Sequence, residues 1–216
     1  CHCRKTRKGV SEMRYDDVVS NVCIYGLEDS VRSGGAAADP LKITTEIAEA
    51  GSPAKLNGGH DVFLNGIIVQ FDLTFTSKAW VAAERYHFLN FVSPQSSMLQ
   101  VTDSDPDQAY IEYVDGRIAE IMKEKIREYN DLQNEIRTLR AQGKDVTTLM
   151  DLSNQKYLEI IYSNPSGFRM TARMTTNYRQ LRTIYRQRKS HRLPEWRAFC
   201  AWCETLPHAE FITGNE

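Results

Sequence analysis

The sequence lacks a net charge of either sign, a long apolar run and any internal repeat. Its 27 lysine and arginine residues are balanced by 28 aspartate and glutamate residues, so the chain has no overall electrostatic footprint for nucleic acid or for a membrane surface. The longest apolar run, 62–69, is interrupted by Asn65 and Gly66 and is much shorter than a membrane-spanning helix. These absences favour a globular protein of 216 residues that binds neither nucleic acid nor membrane.

Cysteine is also scarce, and its spacing matches neither a metal site nor a disulfide framework. The five cysteines include Cys1 and Cys3 near the terminus and the pair Cys200 and Cys203 in a helical run. A single CxxC without a second pair is weak evidence for zinc, so we predict buried free thiols and no metal site. The odd number of cysteines and the lack of a signal sequence favour a reducing, cytoplasmic location.

The charged residues that are present are unevenly distributed. The segment 169–197 is strongly basic, whereas 103–135 is rich in acidic residues. A local basic pocket for a small phosphorylated ligand explains this pattern better than a surface that binds a duplex.

Hydrophobic periodicity predicts a mixture of strands and helices in one domain over 13–216. Residues 1–12 carry no core pattern, so we expect a tail that is disordered or foreign to the native chain, with Met13 as a plausible native start. Alternating apolar residues predict strands at 18–27 and 67–76.

A helical period of 3.6 predicts two long helices, at 108–142 and 146–162, separated by Gly143. Together they would form a helical pair, and without further information such a pair indicates a role in assembly. The shorter expected elements are a loop or weak helix start at 32–39, helices at 41–50 and 78–84, a short helix or turn at 61–66, and a loop at 93–97.

The most informative segment runs from Asn177 to Arg188 and reads as one helix after a predicted turn at 175–176. Positions four, seven and eleven after Asn177 are Leu181, Ile184 and Arg188, so these four residues share one face. A face that begins with an amide and ends with a guanidinium suits a planar or anionic ligand. The alternative interpretation is an amphipathic helix with solvated basic residues.

The spacing Asn177-x-Arg179-x-Leu181, with Arg188 eleven positions after the asparagine, resembles the C-terminal signature of flavin-dependent thymidylate synthases. Similar matches surround it over 57–202. They are Pro165 twelve residues upstream, His191 and Glu195-Trp196-Arg197 downstream, Gly59-His60, and Ser77-Lys78-Ala79.

The central motif of the family, Arg-His-Arg-x-x-Ser, is degenerate in this chain. Arg85 keeps the first arginine, His87 replaces the second so that its charge depends on pH, and Asn90 replaces the serine. Two arginines that hold the nucleotide phosphate in the family fall on Met98 and Ile161. The resemblance therefore implies a divergent member, with a viral source as one explanation.

Arg169 and Arg173 are candidates to replace the missing arginines. The aromatic run Tyr86, Phe88 and Phe91, with His87, could stack on a flavin or folate, or could belong to the core.

The resemblance implies an α+β fold, an antiparallel sheet with packed helices, and a homotetramer. It also implies reductive methylation of dUMP to dTMP, with FAD as cofactor and with NADPH and methylenetetrahydrofolate as co-substrates. The implied catalytic residue is Arg188. The implied cofactor-binding residues are His60, Arg85, His87, Asn90, Asn177, Arg179 and Thr183. The implied substrate-binding residues are Arg85, Gln95, Ser96, Ser97 and Arg188.

Two other functions stay open at this point. One is a different flavin- and folate-dependent change at C5 of a uracil nucleotide, such as hydroxymethylation. The other is a catalytically inactive binding or assembly protein that keeps the helical scaffold.

Overall fold

The computed structural model describes residues 13–36, 61–93, 101–102 and 108–214. The tail 1–12, the helix expected at 41–50, and the candidate site residues His60, Gln95, Ser96 and Ser97 lie outside the described residues.

The described chain has an α+β fold with four strands and seven helices. The strands are β1 (Val19–Tyr25), β2 (Ile68–Thr76), β3 (Asn90–Ser93) and β4 (Arg169–Asn177). The helices are α1 (Leu27–Ala36), α2 (Ser77–Ala83), α3 (Gly116–Ala141), α4 (Thr147–Ser163), α5 (Tyr178–Arg188), α6 (Pro194–Cys203) and α7 (Glu210–Thr213). Short 3-10 helices occupy Tyr15–Asp17 and Val62–Asn65.

The four strands form one antiparallel sheet in the order β1-β2-β4-β3. Strand β2 alternates between buried and partly exposed side chains, as its sequence predicts, and this places Phe71 on the core face. The Phe71 ring lies 5.9 Å from Phe199 and 4.7 Å from Trp202, both on α6. One aromatic side chain of the sheet therefore anchors the helix that carries Trp196.

A β-bulge interrupts the pairing of β1 with β2 between Ser20 and Cys23. Asn21 has a positive φ of 50°, and its amide donates to Asp72 Oδ2 over 2.6 Å. Arg173 donates to the Asn21 carbonyl oxygen over 2.6 Å and pairs with Asp72 over 3.2 Å. Arg173, considered above as a substitute phosphate ligand, is therefore engaged in holding this bulge.

The chain divides into two compact units, each with its own core. The first comprises the described residues of 1–73, 86–92 and 173–216, and its most deeply buried large side chains include Trp196, Tyr178 and Phe199. The second comprises those of 74–85 and 93–172. Its core cluster consists of Val101, Ala109, Met122, Ile126, Ile160 and Phe168.

The predicted helical pair is present as α3 and α4 in the second unit, but α3 begins at Gly116 and not near 108. The side chain of Asp115 accepts a hydrogen bond from the Arg117 backbone N–H at 2.9 Å, and this cap starts the helix. Two cross-helix ion pairs join α3 to α4, Lys125 with Glu159 and Lys156 with Glu128.

Two local predictions need correction. The segment 32–39 was expected to be a loop or a weak helix start, but α1 already begins at Leu27 and continues to Ala36. Thr175 and Thr176 were expected to form a turn but lie in β4, where β-branched residues pack well. The Thr176 hydroxyl also donates to the Phe88 carbonyl oxygen over 3.0 Å. Helix α5 therefore follows a strand directly, without an intervening turn.

We expect Gly26→Ala to destabilise the protein more than Gly143→Ala. Both glycines have positive φ, +69° and +73°, which costs an L-residue about 1 kcal/mol. A Cβ atom at Gly26 would also lie 2.6 Å from the Gly66 carbonyl oxygen, whereas one at Gly143 would meet nothing within 4 Å. Urea unfolding should show a loss of about 3 kcal/mol for the first variant and about 1 kcal/mol for the second. Equal losses would mean that the close approach to Gly66 is not a constraint.

Candidate functional site

Asn177 is the N-cap of α5. Its backbone is extended, with φ −131° and ψ 168°, and its side-chain oxygen accepts a hydrogen bond from the Gln180 N–H over 3.0 Å. Capping uses only the oxygen, so the amide NH2 group stays available as a donor. The cap position also places Asn177 outside the helical turn that carries Arg179, so the two side chains are not constrained by the helical angle between them.

The α5 residues Arg179 and Arg182 share one carboxylate, that of Asp61. Nη2 of Arg179 lies 3.5 Å from Asp61 Oδ1, and Nη1 of Arg182 lies 3.3 Å from Oδ2. Arg182 is only 5% exposed, whereas the Arg179 side chain is 43% exposed. Burial is the main cause that lowers the pKa of Arg182, and Arg186 adds to it by repulsion. Arg182 is therefore mainly structural, whereas Arg179 can still reach solvent.

Arg188 lies in a corner formed by two aromatic rings of the same unit. Its Cζ atom lies 5.3 Å from the Tyr86 ring centroid and 4.9 Å from the Trp196 centroid, within range of cation–π attraction. The two rings are 5.9 Å apart at 64°. Tyr86 is 8% exposed and Trp196 is fully buried, so the corner is a rigid part of the core.

Hydrogen bonds fix the guanidinium of Arg188 within this aromatic corner. Its Nε–H donates to the Tyr86 hydroxyl oxygen over 2.7 Å, and that hydroxyl donates to Gln187 Oε1 over 2.8 Å. No described residue accepts a hydrogen bond from either Nη group of Arg188. The side chain is only partly buried. The two terminal nitrogens thus form a pre-oriented pair of donors for a carbonyl or an anion.

His191 follows α5 and packs near the same corner, with its ring centroid 6.4 Å from that of Trp196. Its Nδ1 accepts a hydrogen bond from the Leu193 N–H at 3.2 Å, so the proton of the neutral imidazole resides on Nε2. Burial lowers the pKa of His191, and the positive charge of Arg188 lowers it further. His191 is therefore a neutral donor beside a cation at neutral pH.

The remaining described candidates are accessible. Arg85, His87 and Asn90 are exposed, and their side chains supply hydrogen-bond donors. Thr183 is partly buried, and its hydroxyl donates to the Arg179 carbonyl oxygen over 3.2 Å. Leu181 and Ile184, the apolar members of the face predicted for α5, are fully buried, so the middle of this helix belongs to the core.

Sequence reasoning placed Tyr86 only in an aromatic run and did not foresee its contacts with Arg188. The available signal was its position next to Arg85, inside the segment that matches the central family motif. Of the other aromatic residues, Phe88 contacts Tyr86 with centroids 5.5 Å apart, whereas Phe91 is exposed. The run is therefore partly core and partly surface.

In the second unit, Ile161 packs against the core cluster of Met122, Ile126 and Phe168. It corresponds by resemblance to a phosphate-binding arginine of the family. An apolar side chain in an apolar surrounding cannot serve that purpose.

Cys200 and Cys203 are buried free thiols, as predicted, and burial raises the pKa of Cys200 to about 12. In the described ranges, no group of three His, Cys, Asp or Glu side chains could hold a metal ion. None of the helices there combines the length and apolar character needed to cross a membrane.

The fold resembles that of a known enzyme. By sequence, the chain matches no protein-family model and no curated protein. By structure, it is similar to flavin-dependent thymidylate synthase ThyX from Helicobacter pylori, crystallised with FAD and dUMP. The TM-score is 0.59 and the identity 11%, over 91% of this chain and 98% of that chain. A second structure of that enzyme with FAD and dUMP gives a TM-score of 0.60 at 11% identity over the same shares. At this identity the likeness establishes a shared fold.

The lowered pKa of His191 predicts a pH-dependent loss of stability. Below the ordinary pKa of 6.5, the unfolded chain takes up a proton before the folded chain does, so the free energy of unfolding should fall as pH drops from 6.5 towards the lowered value. In the variant His191→Asn, the side-chain amide oxygen can still accept a hydrogen bond from the Leu193 N–H, but the side chain no longer takes up a proton in this pH range. Urea unfolding from pH 8 to pH 5 should therefore show a smaller acid-side loss for the variant than for the native chain. The same loss in both proteins would mean that His191 does not contribute.

Proposed function

We propose that the protein is a flavin-dependent thymidylate synthase that converts dUMP to dTMP, with methylenetetrahydrofolate as the one-carbon donor and NADPH as the reductant. The observation that carries the proposal is Arg188, held in an aromatic corner with no acceptor for either Nη group among the described residues. By its spacing from Asn177, it matches the arginine that contacts the nucleotide base in the family that the sequence resembles. The shared fold supports the same conclusion.

The described residues suit FAD as the cofactor. Among residues of the first unit, Asn177 uses its side-chain oxygen for the helix cap and can donate through its amide NH2, Arg179 is half-exposed, and His87 and Asn90 add exposed donors. A diphosphate and a carbonyl-rich ring need such donors. When bound and reduced, the flavin would supply the hydride that completes the new methyl group.

Arg188 would act on the uracil ring. Nη1 and Nη2 can donate to a ring carbonyl oxygen and stabilise the negative charge that develops there when C5 attacks the one-carbon unit. His191 can add a neutral donor through Nε2–H. Because the positive charge is already oriented, little reorganisation is needed during the reaction.

A second outcome at C5, such as hydroxymethylation, is favoured by one observation. Ile161 is packed into an apolar cluster, so the phosphate of the usual nucleotide lacks one of its family ligands. A different nucleotide or product would explain this loss. Mass spectrometry of the product formed with isotope-labelled methylenetetrahydrofolate distinguishes a methyl from a hydroxymethyl group. Purified protein that carries no flavin and binds none would instead support the inactive alternative.

We expect Arg188→Ala to lower the rate of dUMP-dependent oxidation of reduced flavin by roughly a hundredfold, which corresponds to about 3 kcal/mol of transition-state stabilisation. The variant should keep its flavin content, and its melting temperature should fall by roughly 3–12 °C, because the lost hydrogen bond contributes about 1.5–3 kcal/mol. Arg192→Ala is the matched control, because Arg192 is an exposed arginine just beyond the same helix. Equal rates for the native chain and Arg188→Ala would remove Arg188 from the site.

We further propose that FAD lies in a site shared between subunits of a homo-oligomer, most simply a tetramer. The support is the length of α5, because Asn177 and Arg188 lie about 16 Å apart along the helix axis. One subunit then offers donors for two ligands at opposite ends of one helix. Analytical ultracentrifugation should show a flavin-bearing tetramer. A monomer that binds FAD with normal affinity would contradict the shared site.

A further inference from the structure

The hydroxyl of Tyr86 restricts which nitrogens of Arg188 can reach a ligand. A guanidinium can bind a planar or anionic group through Nε and one Nη, or through the two Nη groups. Because the Nε–H of Arg188 already donates to the Tyr86 hydroxyl over 2.7 Å, only the second mode is open.

The direction of this hydrogen-bond chain is determined by chemistry. Arg188 Nε can only donate, so the Tyr86 oxygen must accept from it. The hydroxyl proton is then directed to Gln187 Oε1 at 2.8 Å. Gln187 precedes Arg188 on α5, so the chain of bonds ties the end of the helix to the 86–88 segment.

The surroundings make the arrangement rigid. The Tyr86 ring contacts Trp196 and Phe88, with centroids 5.9 and 5.5 Å away. The Phe88 carbonyl oxygen accepts from Thr176 at 3.0 Å, which fastens this segment to β4. The hydroxyl therefore stands at a position determined by the core and not by a mobile loop.

We propose that Tyr86 is a positioning residue. It does not touch the nucleotide itself but holds Arg188 so that the Nη1 and Nη2 pair meets the uracil ring. This role rests on the proposed function, because it requires a uracil nucleotide as the ligand of Arg188. Nothing in the family signature requires a tyrosine here, since the family has a histidine at the matching place.

The test is the affinity of the FAD-loaded protein for dUMP, measured by equilibrium dialysis. Tyr86→Phe keeps the ring and its cation–π contact but removes the acceptor of the Nε–H, so dUMP should bind about tenfold more weakly. Tyr185→Phe is the matched control. Tyr185 is also a buried tyrosine whose hydroxyl donates to a side chain, Glu204, over 2.8 Å, whereas the Nε–H of Arg188 donates to Tyr86 and not to Tyr185. The substitution Tyr185→Phe should leave the affinity for dUMP unchanged.

A double-mutant cycle separates positioning from a general structural effect. In an Arg188→Ala background, Tyr86→Phe should have no further effect on dUMP affinity. If the role of Tyr86 is purely structural, the second substitution should lower the dUMP affinity again. Gln187→Leu provides a second test at an exposed residue that is safe for folding. It should weaken dUMP binding in the same direction but by less.

The outcomes are distinct. If the native protein binds dUMP and Tyr86→Phe binds it equally well, or if the two substitutions act additively, the positioning role is wrong while the proposed function stands. If the FAD-loaded native protein binds no dUMP, the proposed function is wrong and the positioning role with it. If Tyr86→Phe weakens dUMP binding in the native background but has no effect in the Arg188→Ala background, the result supports the positioning role and the proposed function.

Discussion

The hydrogen bond from Arg188 Nε to the Tyr86 hydroxyl is the interaction on which the candidate site depends. A charge-assisted bond of this kind contributes about 1.5–3 kcal/mol, and here it joins residues that are 102 positions apart. The aromatic rings of Tyr86 and Trp196 exclude water from one side of the guanidinium and strengthen the bond. The Nη groups are the remaining donors of this arginine, and no described residue accepts from them.

Helix α5 is stable despite its many arginines because apolar burial, an opposite charge and the helix dipole each stabilise a different part of it. Leu181 and Ile184 are fully buried and supply the apolar contacts that hold it in the core. Asp61 compensates the positive charge near its start. Arg186 and Arg188 lie in the last turn, where the helix dipole favours positive charge. The helix can therefore present different cations on different sides without unfolding.

Two of the departures from the family pattern fall on residues expected to hold the nucleotide phosphate, whereas Arg188 keeps the matching arginine. Ile161 is part of an apolar cluster, and Arg173 is engaged with Asp72 and the β1 bulge. If the proposed function holds, a site that keeps the arginine for the uracil ring but changes its phosphate ligands suits a change in nucleotide or product more than a loss of chemistry. This is the physical reason for measuring the product mass and not only the rate.

The sequence alone determined the local features of this protein. Alternation in β2 and the four- and seven-residue spacing in α5 identify buried residues, because strand and helix periods are properties of the backbone. It also pointed to Arg188 through the spacing of one motif. Only the tertiary structure showed that the Tyr86 hydroxyl accepts a hydrogen bond from that arginine, and that Arg179 and Arg182 share the carboxylate of Asp61, more than 100 positions away in the chain. Such contacts join residues far apart in the chain, and periodicity carries no information about which distant side chains the packed core brings together.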